Sequence, residues 1–142
     1  MTVETTVTVR YAETDQMGVA HHAVYPIWYE LARTEYIKRF GLTYSQMEAM
    51  GVMTPLVDLQ CHYAGSARYE DELIISAKIT ALTPARVVFG FSIRRQGEER
   101  PIQTGSTTLA WVDKATFRPL NMKKRFPQLY QQMLEAAEPQ RE

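Results

Sequence analysis

Asp15 stands in the turn Thr14-Asp15-Gln16-Met17-Gly18, between an alternating stretch, Thr5 to Tyr11, and an aromatic-rich stretch that follows His21 and His22. A turn of this composition has two readings. Asp accepts backbone hydrogen bonds and Gly takes backbone angles closed to most residues, so the segment can be purely structural. The same turn can also aim a carboxylate toward the start of the next helix, where free N–H groups and the positive dipole end polarise a carbonyl. A nucleophile or base beside an oxyanion-type donor is a catalytic layout.

Other residues compete for attention, each with a blander reading. His21 and His22 could join Asp15 around a metal, but adjacent histidines on one turn seldom point the same way, and His62 is distant in sequence. No metal is expected; the favoured reading has His22 filling or capping the helix start while the backbone does the useful work. Cys61 next to His62 suggests a thiol and a base, yet consecutive strand residues project to opposite faces, so Cys61 reads as a small core residue. Glu30 and Arg33, three apart on a helix, form a surface ion pair in one reading; in the other, Glu30 orients a water in a site. Arg68 with Glu70, Asp71 and Glu72 reads as a solvated turn. Lys123-Lys124-Arg125 reads as a charged surface segment, but if a phosphate-rich ligand binds, this triplet, Arg118 and Arg86 are the local basic groups to receive it. No Walker-type or Rossmann-type glycine loop is present.

The elements that must position these residues follow from periodicity. From His22 to Phe40, Tyr25, Trp28, Tyr29, Leu31, Ala32, Tyr36, Ile37 and Phe40 recur at helical spacing over a wide face, so the helix should be largely buried. Pro26 suits its first turn and Gly41 its end. A short helix is expected over Thr43 to Met50. Strands are expected over Pro55 to Tyr63, Leu73 to Leu82, Arg86 to Arg95 and Ile102 to Asp113, with short separators that suit antiparallel neighbours. Pro127 to Ala137 can form a terminal helix, followed by a solvated tail over residues 138–142. The pattern is α+β: one antiparallel sheet buries one face against a central helix, and its other face meets water or another copy.

At 142 residues the chain is one domain long, residues 1–142. Sixteen Lys+Arg balance sixteen Asp+Glu, so no whole-chain field draws it to nucleic acid or an acidic membrane, and neither is an expected partner. Charges interrupt every apolar segment before the roughly 20 residues needed to cross a bilayer. Near-neutrality with 45% hydrophobic residues favours self-association. The single cysteine and the start Met1-Thr2-Val3-Glu4, which lacks the form of a secretion signal, fit a reducing cytoplasm.

Tyr11, Thr14, Asp15, Gly18, His22, Tyr25, Glu30, Ala32 and Arg33 together resemble the signature of the hotdog-fold acyl-CoA thioesterases, in particular the 4-hydroxybenzoyl-CoA thioesterase and YbgC-like family. The tract from Tyr63 to Leu73 is similar to the family's lead into its next strand. The resemblance implies a hotdog fold: a long helix wrapped by a curved antiparallel sheet, with two protomers joined edge to edge, active sites at that interface, and a dimer or a dimer of dimers. It implies that Asp15 is the catalytic carboxylate, that the backbone amide of His22 polarises the thioester carbonyl, and that Tyr25, Trp28 and Tyr29 on the helix face contribute to the acyl pocket. His21 departs from the residue often found at its position in related sequences. No cofactor is implied, because coenzyme A is part of the substrate. Two rivals remain beside hydrolysis: hydration or dehydration of an enoyl thioester, and non-hydrolytic binding of acyl-CoA or an acyl carrier. The histidine motif typical of hotdog hydratases is not found.

Overall fold

The computed structural model describes residues 1–139. Five strands, β1 (Thr2–Thr8), β3 (Leu56–Tyr63), β4 (Glu72–Leu82), β5 (Arg86–Arg95) and β6 (Pro101–Ala110), make one antiparallel sheet in the order β1-β4-β5-β6-β3. A two-stranded ribbon pairs β2 (Val52–Met53) with β7 (Val112–Asp113). The α+β architecture expected from the pattern is therefore what the chain adopts; the separators after β4 and β5 join antiparallel neighbours as expected, whereas the one between β3 and β4 does not, because β5 and β6 lie between those two strands.

Alternation decides which face of the sheet is buried. Leu73, Ile75, Ala77 and Ile79 of β4 and Val87, Phe89, Phe91 and Ile93 of β5 point inward, against helix α1 (Tyr25–Lys38). From α1, Tyr25, Trp28, Tyr29, Ala32, Tyr36 and Ile37 return the contact, at the three- and four-residue spacing that places side chains on one helical face. The opposite sheet face carries Thr2, Ser76, Lys78, Ser92, Thr104 and Ser106, which line an open groove of about 760 Å³. That face is polar. Apolar exposure is found instead at the sheet edge, where Leu56, Val57 and Leu59 of β3 lie open, and on the free side of α1 at Ile27 and Leu31.

Several boundaries differ from the sequence expectation. β1 occupies Thr2–Thr8 rather than Thr5 to Tyr11, because Val3 and Val7 supply its inward positions and Tyr11–Glu13 coils into a single 3-10 turn. The expected strand Ile102 to Asp113 breaks at Trp111. Its buried indole and its N–H bond to Ala85 turn the chain out of the main sheet, so that β7 pairs with β2. Lys123-Lys124-Arg125 is the exposed charged segment expected before the terminal helix, and it is coiled into a one-turn helix, α3 (Met122–Arg125), whose start is capped by the Asn121 side chain on the Lys124 N–H. The short helix α2 (Tyr44–Ala49) begins at a reciprocal cap between Thr43 and Gln46. The terminal helix α4 (Pro127–Ala136) buries Tyr130 and Met133. Glu138, assigned to the tail, is held: its N–H donates to Ile79, and its carboxylate accepts from the Thr2 hydroxyl and pairs with the N-terminal amine. Residues 140–142 of that tail lie outside the described residues.

Tyr29 fixes the height of α1 over the sheet. Its ring stacks on Phe91 at 4.3 Å and 5°, and its hydroxyl passes over Gly105 to donate to Gln103 Oε1. A Cβ at Gly105 would collide with the Tyr29 hydroxyl and the Gln60 carbonyl. Gly105→Ala is therefore expected to lower stability by about 1–3 kcal/mol, the usual range for overpacking a filled core. Chemical denaturation measures it, and an unchanged midpoint would mean that Tyr29 does not sit over Gly105.

Candidate active site

The segment between β1 and α1 is a small hairpin held at every rung. Asp15 N–H donates to Val19 O (2.9 Å), Thr14 bridges Ala20, and His21 N–H donates to Glu13 O (2.8 Å). Its outer arm is docked on the loop before β4, since Ala20 N–H donates to Ala67 O (2.7 Å). That loop, expected as a solvated turn, is itself fixed: Asp71 accepts from the Arg68 N–H and pairs with Arg95, which also reaches the Ser66 carbonyl.

Glu13 ties this hairpin to the helix, and nothing singled it out in the sequence. It is a buried carboxylate, only 7% exposed. One oxygen accepts from the Arg10 N–H (2.7 Å) and faces the Arg10 guanidinium (3.3 Å), while the other accepts from the Trp28 indole N–H (3.1 Å) on α1. A charge taken out of water must be repaid by such partners. The available signal was local: Arg10 and Glu13 are three apart, the spacing of an ion pair across one helical turn.

Asp15 is half-buried at the tip of the hairpin. Its Oδ1 accepts from the Met17 N–H (2.8 Å), an Asx turn, and its carbonyl accepts from Gly18, whose φ of +80° is left-handed backbone that suits glycine. Oδ2 has no hydrogen bond among the described residues. Structural and chemical roles are thus divided between the two oxygens of one carboxylate.

The helical stretch begins at His22 as the periodicity suggested, but its first turn is wound more tightly than an α-helix. His22–Val24 forms a 3-10 turn that runs directly into α1. His21, not His22, is the cap: its Nδ1 accepts from the Ala23 N–H (3.0 Å), and its carbonyl accepts from Val24 (2.9 Å). The two imidazoles stack at 4.2 Å and so do point the same way, against expectation, because the cap holds His21 back along the turn. With those donors engaged, the His22 N–H stands first in the helix and unpaired among the described residues, which is the ordinary state of a helix's leading N–H.

The other candidate residues are dispersed. Tyr25, Trp28 and Tyr29 are buried in the core, with Tyr25 edge-on to both Trp28 (5.0 Å) and Tyr63 (5.3 Å). Glu30 and Arg33 form no ion pair; Arg33 Nε donates to the Tyr44 hydroxyl (3.0 Å) instead, and both Glu30 and Arg33 line a groove of about 480 Å³ with Thr54, Pro55 and Phe117. Burial pushes the Tyr44 hydroxyl up to about 12, so it stays protonated beside that guanidinium. Arg118, Lys124 and Arg125 share a cleft of about 450 Å³ with Asp113 and Asn121, and Lys123 and Arg86 lie outside it. Arg86 starts β5 and pairs with Ala110, at the end of the sheet away from the Asp15 hairpin. Since β5 has ten residues, the two ends are separated by about 30 Å. Among the described residues no three His, Cys, Asp or Glu side chains gather as metal ligands, and no helix is long and apolar enough to cross a membrane.

The Thioesterase superfamily profile matches residues 17–102, more than half of the sequence, beginning two residues after Asp15. The chain belongs to the thioesterase superfamily. It is 39% identical to YneP of Bacillus subtilis, named provisionally as an acyl-CoA thioesterase, over 119 residues covering 84% of this chain and 86% of that one. It is 31% identical to the acyl-CoA thioester hydrolase YbgC of Escherichia coli O157:H7, covering 84% of each. Among solved structures, a DHNA-CoA thioesterase from Staphylococcus aureus superposes with a TM-score of 0.89 at 32% identity, over 94% of this chain and 89% of that one. The fold is thus the hotdog fold of this superfamily, and the protein is a thioester hydrolase.

Within this thioesterase, Glu13 is expected to carry much of the hairpin's rigidity. Glu13→Gln keeps the shape but removes the charge and turns an amide donor toward Arg10 or Trp28. Stability should fall by about 1–3 kcal/mol in chemical denaturation, the cost of leaving a buried polar group mismatched; a variant as stable as wild type would show that the carboxylate is not the anchor.

Proposed function

We propose that the protein hydrolyses an acyl-CoA thioester to a free acid and CoA, with Asp15 as the catalytic carboxylate and the His22 N–H as the carbonyl-polarising donor. The observation that carries this reading is the hairpin itself, which joins a carboxylate with one free oxygen to the unpaired leading N–H of the helix. As oxygen adds to the thioester carbon, negative charge grows on the carbonyl oxygen. A fixed N–H at a helix terminus stabilises that charge more than it stabilises the substrate, which is what accelerates a reaction. Collapse of the tetrahedral state breaks the C–S bond, and the CoA thiolate leaves and takes up a proton. Asp15 Oδ2 drives the attack either by deprotonating a water or by adding to the carbon itself; in the second case loss of the thiolate leaves a mixed anhydride, which water hydrolyses to the free acid and the regenerated Asp15 carboxylate. After single turnover in ¹⁸O-water, label recovered in the Asp15 carboxylate marks direct attack with hydrolysis at the Asp15 carbonyl, and trapping the anhydride with hydroxylamine detects direct attack whichever carbonyl water chooses. No metal or cofactor enters this scheme, and the lone thiol Cys61 suits a reducing cytoplasm.

The substrate reading draws on the relatives, which include an acyl-CoA thioester hydrolase and a DHNA-CoA thioesterase. Tyr25, Trp28 and Tyr29 serve the acyl site from behind, by fixing α1, while Glu30 borders the adjoining groove. For the CoA phosphates the basic cleft of Arg118, Lys124 and Arg125, with Lys123 and Arg86 nearby, is the assigned receiver. It lies at the wrong end of its own sheet, but antiparallel pairing of two β3 edges through Leu56, Val57 and Leu59 would bring that end of a second copy toward the Asp15 end of the first. The working unit is then a homodimer or a dimer of dimers.

Thiol release from short, medium, long and aromatic acyl-CoAs tests the chemistry. Asp15→Asn should lose about 100-fold or more in kcat, in the range of a positioned acid–base group, with little change in stability. No turnover of any thioester, or an undiminished variant, would refute the assignment. A light-scattering mass equal to one chain would refute the shared site.

A further inference from the structure

Pro26 removes one of the two backbone donors that the His22 carbonyl could use at the helix start, and another part of the fold supplies a donor there. In an α-helix the carbonyl of His22 would accept from the N–H four residues on, but that residue is Pro26, which has none. Within the 3-10 turn the backbone partner of that carbonyl is the N–H three residues on, Tyr25, and the carbonyl's remaining lone pair accepts at 2.8 Å from the hydroxyl of Tyr63, at the end of the edge strand β3, 41 residues away. The Tyr63 ring is seated edge-on against Tyr25 at 5.3 Å and 82°. Its backbone lies opposite Gln103 in the β3–β6 ladder, and Gln103 is itself fixed by the Tyr29 hydroxyl.

The consequence concerns the reacting donor. The peptide between His22 and Ala23 is pinned at both ends, by Tyr63 on its carbonyl and by His21 Nδ1 on its N–H. The peptide before it, which carries the His22 N–H, has its carbonyl bonded to Val24. With both neighbouring units held, the His22 N–H has one direction. We propose that Tyr63 is a positioning residue for thioester hydrolysis: by supplying the hydrogen bond that Pro26 cannot, its hydroxyl fixes the aim of the His22 N–H at the thioester carbonyl oxygen. Burial first, then the neighbouring Cys61, push the Tyr63 hydroxyl up to about 12, so it remains a donor across the neutral range.

This inference rests on the role given above to Asp15 and His22, and the variants are chosen to separate the two. Tyr63→Phe keeps the ring and removes only the hydroxyl. It should lower kcat roughly tenfold, less than the hundredfold or more that deleting an oxyanion donor costs, while KM and melting temperature hold and the His22 and Ala23 amide NMR signals shift. Pro26→Ala restores an N–H four residues after His22, so the double variant Pro26→Ala/Tyr63→Phe should recover part of the lost kcat. A wild-type kcat in Tyr63→Phe, a loss expressed in KM or melting temperature instead, or a double variant no faster than Tyr63→Phe would overturn the proposal. Asp15→Asn is assayed beside them: if it is inactive while Tyr63→Phe is unimpaired, only the role of Tyr63 falls, whereas full activity in Asp15→Asn removes the assignment on which it rests.

Discussion

The burial of one carboxylate, Glu13, is the constraint on which the site depends. Left unpaired in the interior, its charge would cost more than most single contacts return, so the fold must deliver donors to it. Arg10 comes from the exit of β1 and Trp28 from the first turn of α1. Those two elements cannot shift relative to each other without stranding the charge. The hairpin strung between them inherits that rigidity, and with it the relation between Asp15 and the helix start.

A second constraint sets where the helix lies. The aromatic stripe of α1 is spent on the sheet, with Tyr29 stacked on Phe91 above Gly105 and Tyr36 edge-on to Phe89 at 5.3 Å. Side chains with no exposed surface fix the helix but do not select an acyl chain by direct contact. Exposed surface remains on the other side of α1, at Ile27 and Leu31 with Glu30 lining a groove, and on the edge strand. On the proposed assignment, packing and substrate choice fall on opposite faces of one helix, so a change on the outer face need not disturb the core beneath the Asp15 turn.

What could be read from the sequence was whatever periodicity or turn chemistry encodes. The α1 stripe, the strands β3 to β6 and the Asp15 turn all announce themselves through spacing. Long-range hydrogen bonds do not: Glu13 to Trp28, and Tyr63 to His22, join residues 15 and 41 apart with no local pattern to mark them. The cap illustrates the limit well. A histidine at the helix start was legible, but whether His21 or His22 filled it depended on the backbone angles of a 3-10 turn that periodicity cannot resolve. Likewise Glu30 and Arg33 had the spacing of an ion pair, and Tyr44, brought in by α2, took the guanidinium instead.

The separation of charge from chemistry within one chain has a simple geometric origin. Strands of eight to eleven residues hold the hairpin at one end of the sheet and the basic cleft at the other. No loop rearrangement closes a gap of about 30 Å set by strand length. In the proposed dimer a two-fold axis would do so without rearranging either protomer, because pairing identical edges antiparallel inverts one sheet against the other. The same edge that carries Leu56, Val57 and Leu59 also ends in Tyr63. Docking a second copy there would remove water from the hydrogen bond that orients the His22 turn, and a bond in a drier setting holds its geometry more strongly. On this argument, assembly does more than supply a phosphate site: it stiffens the donor that the reaction requires.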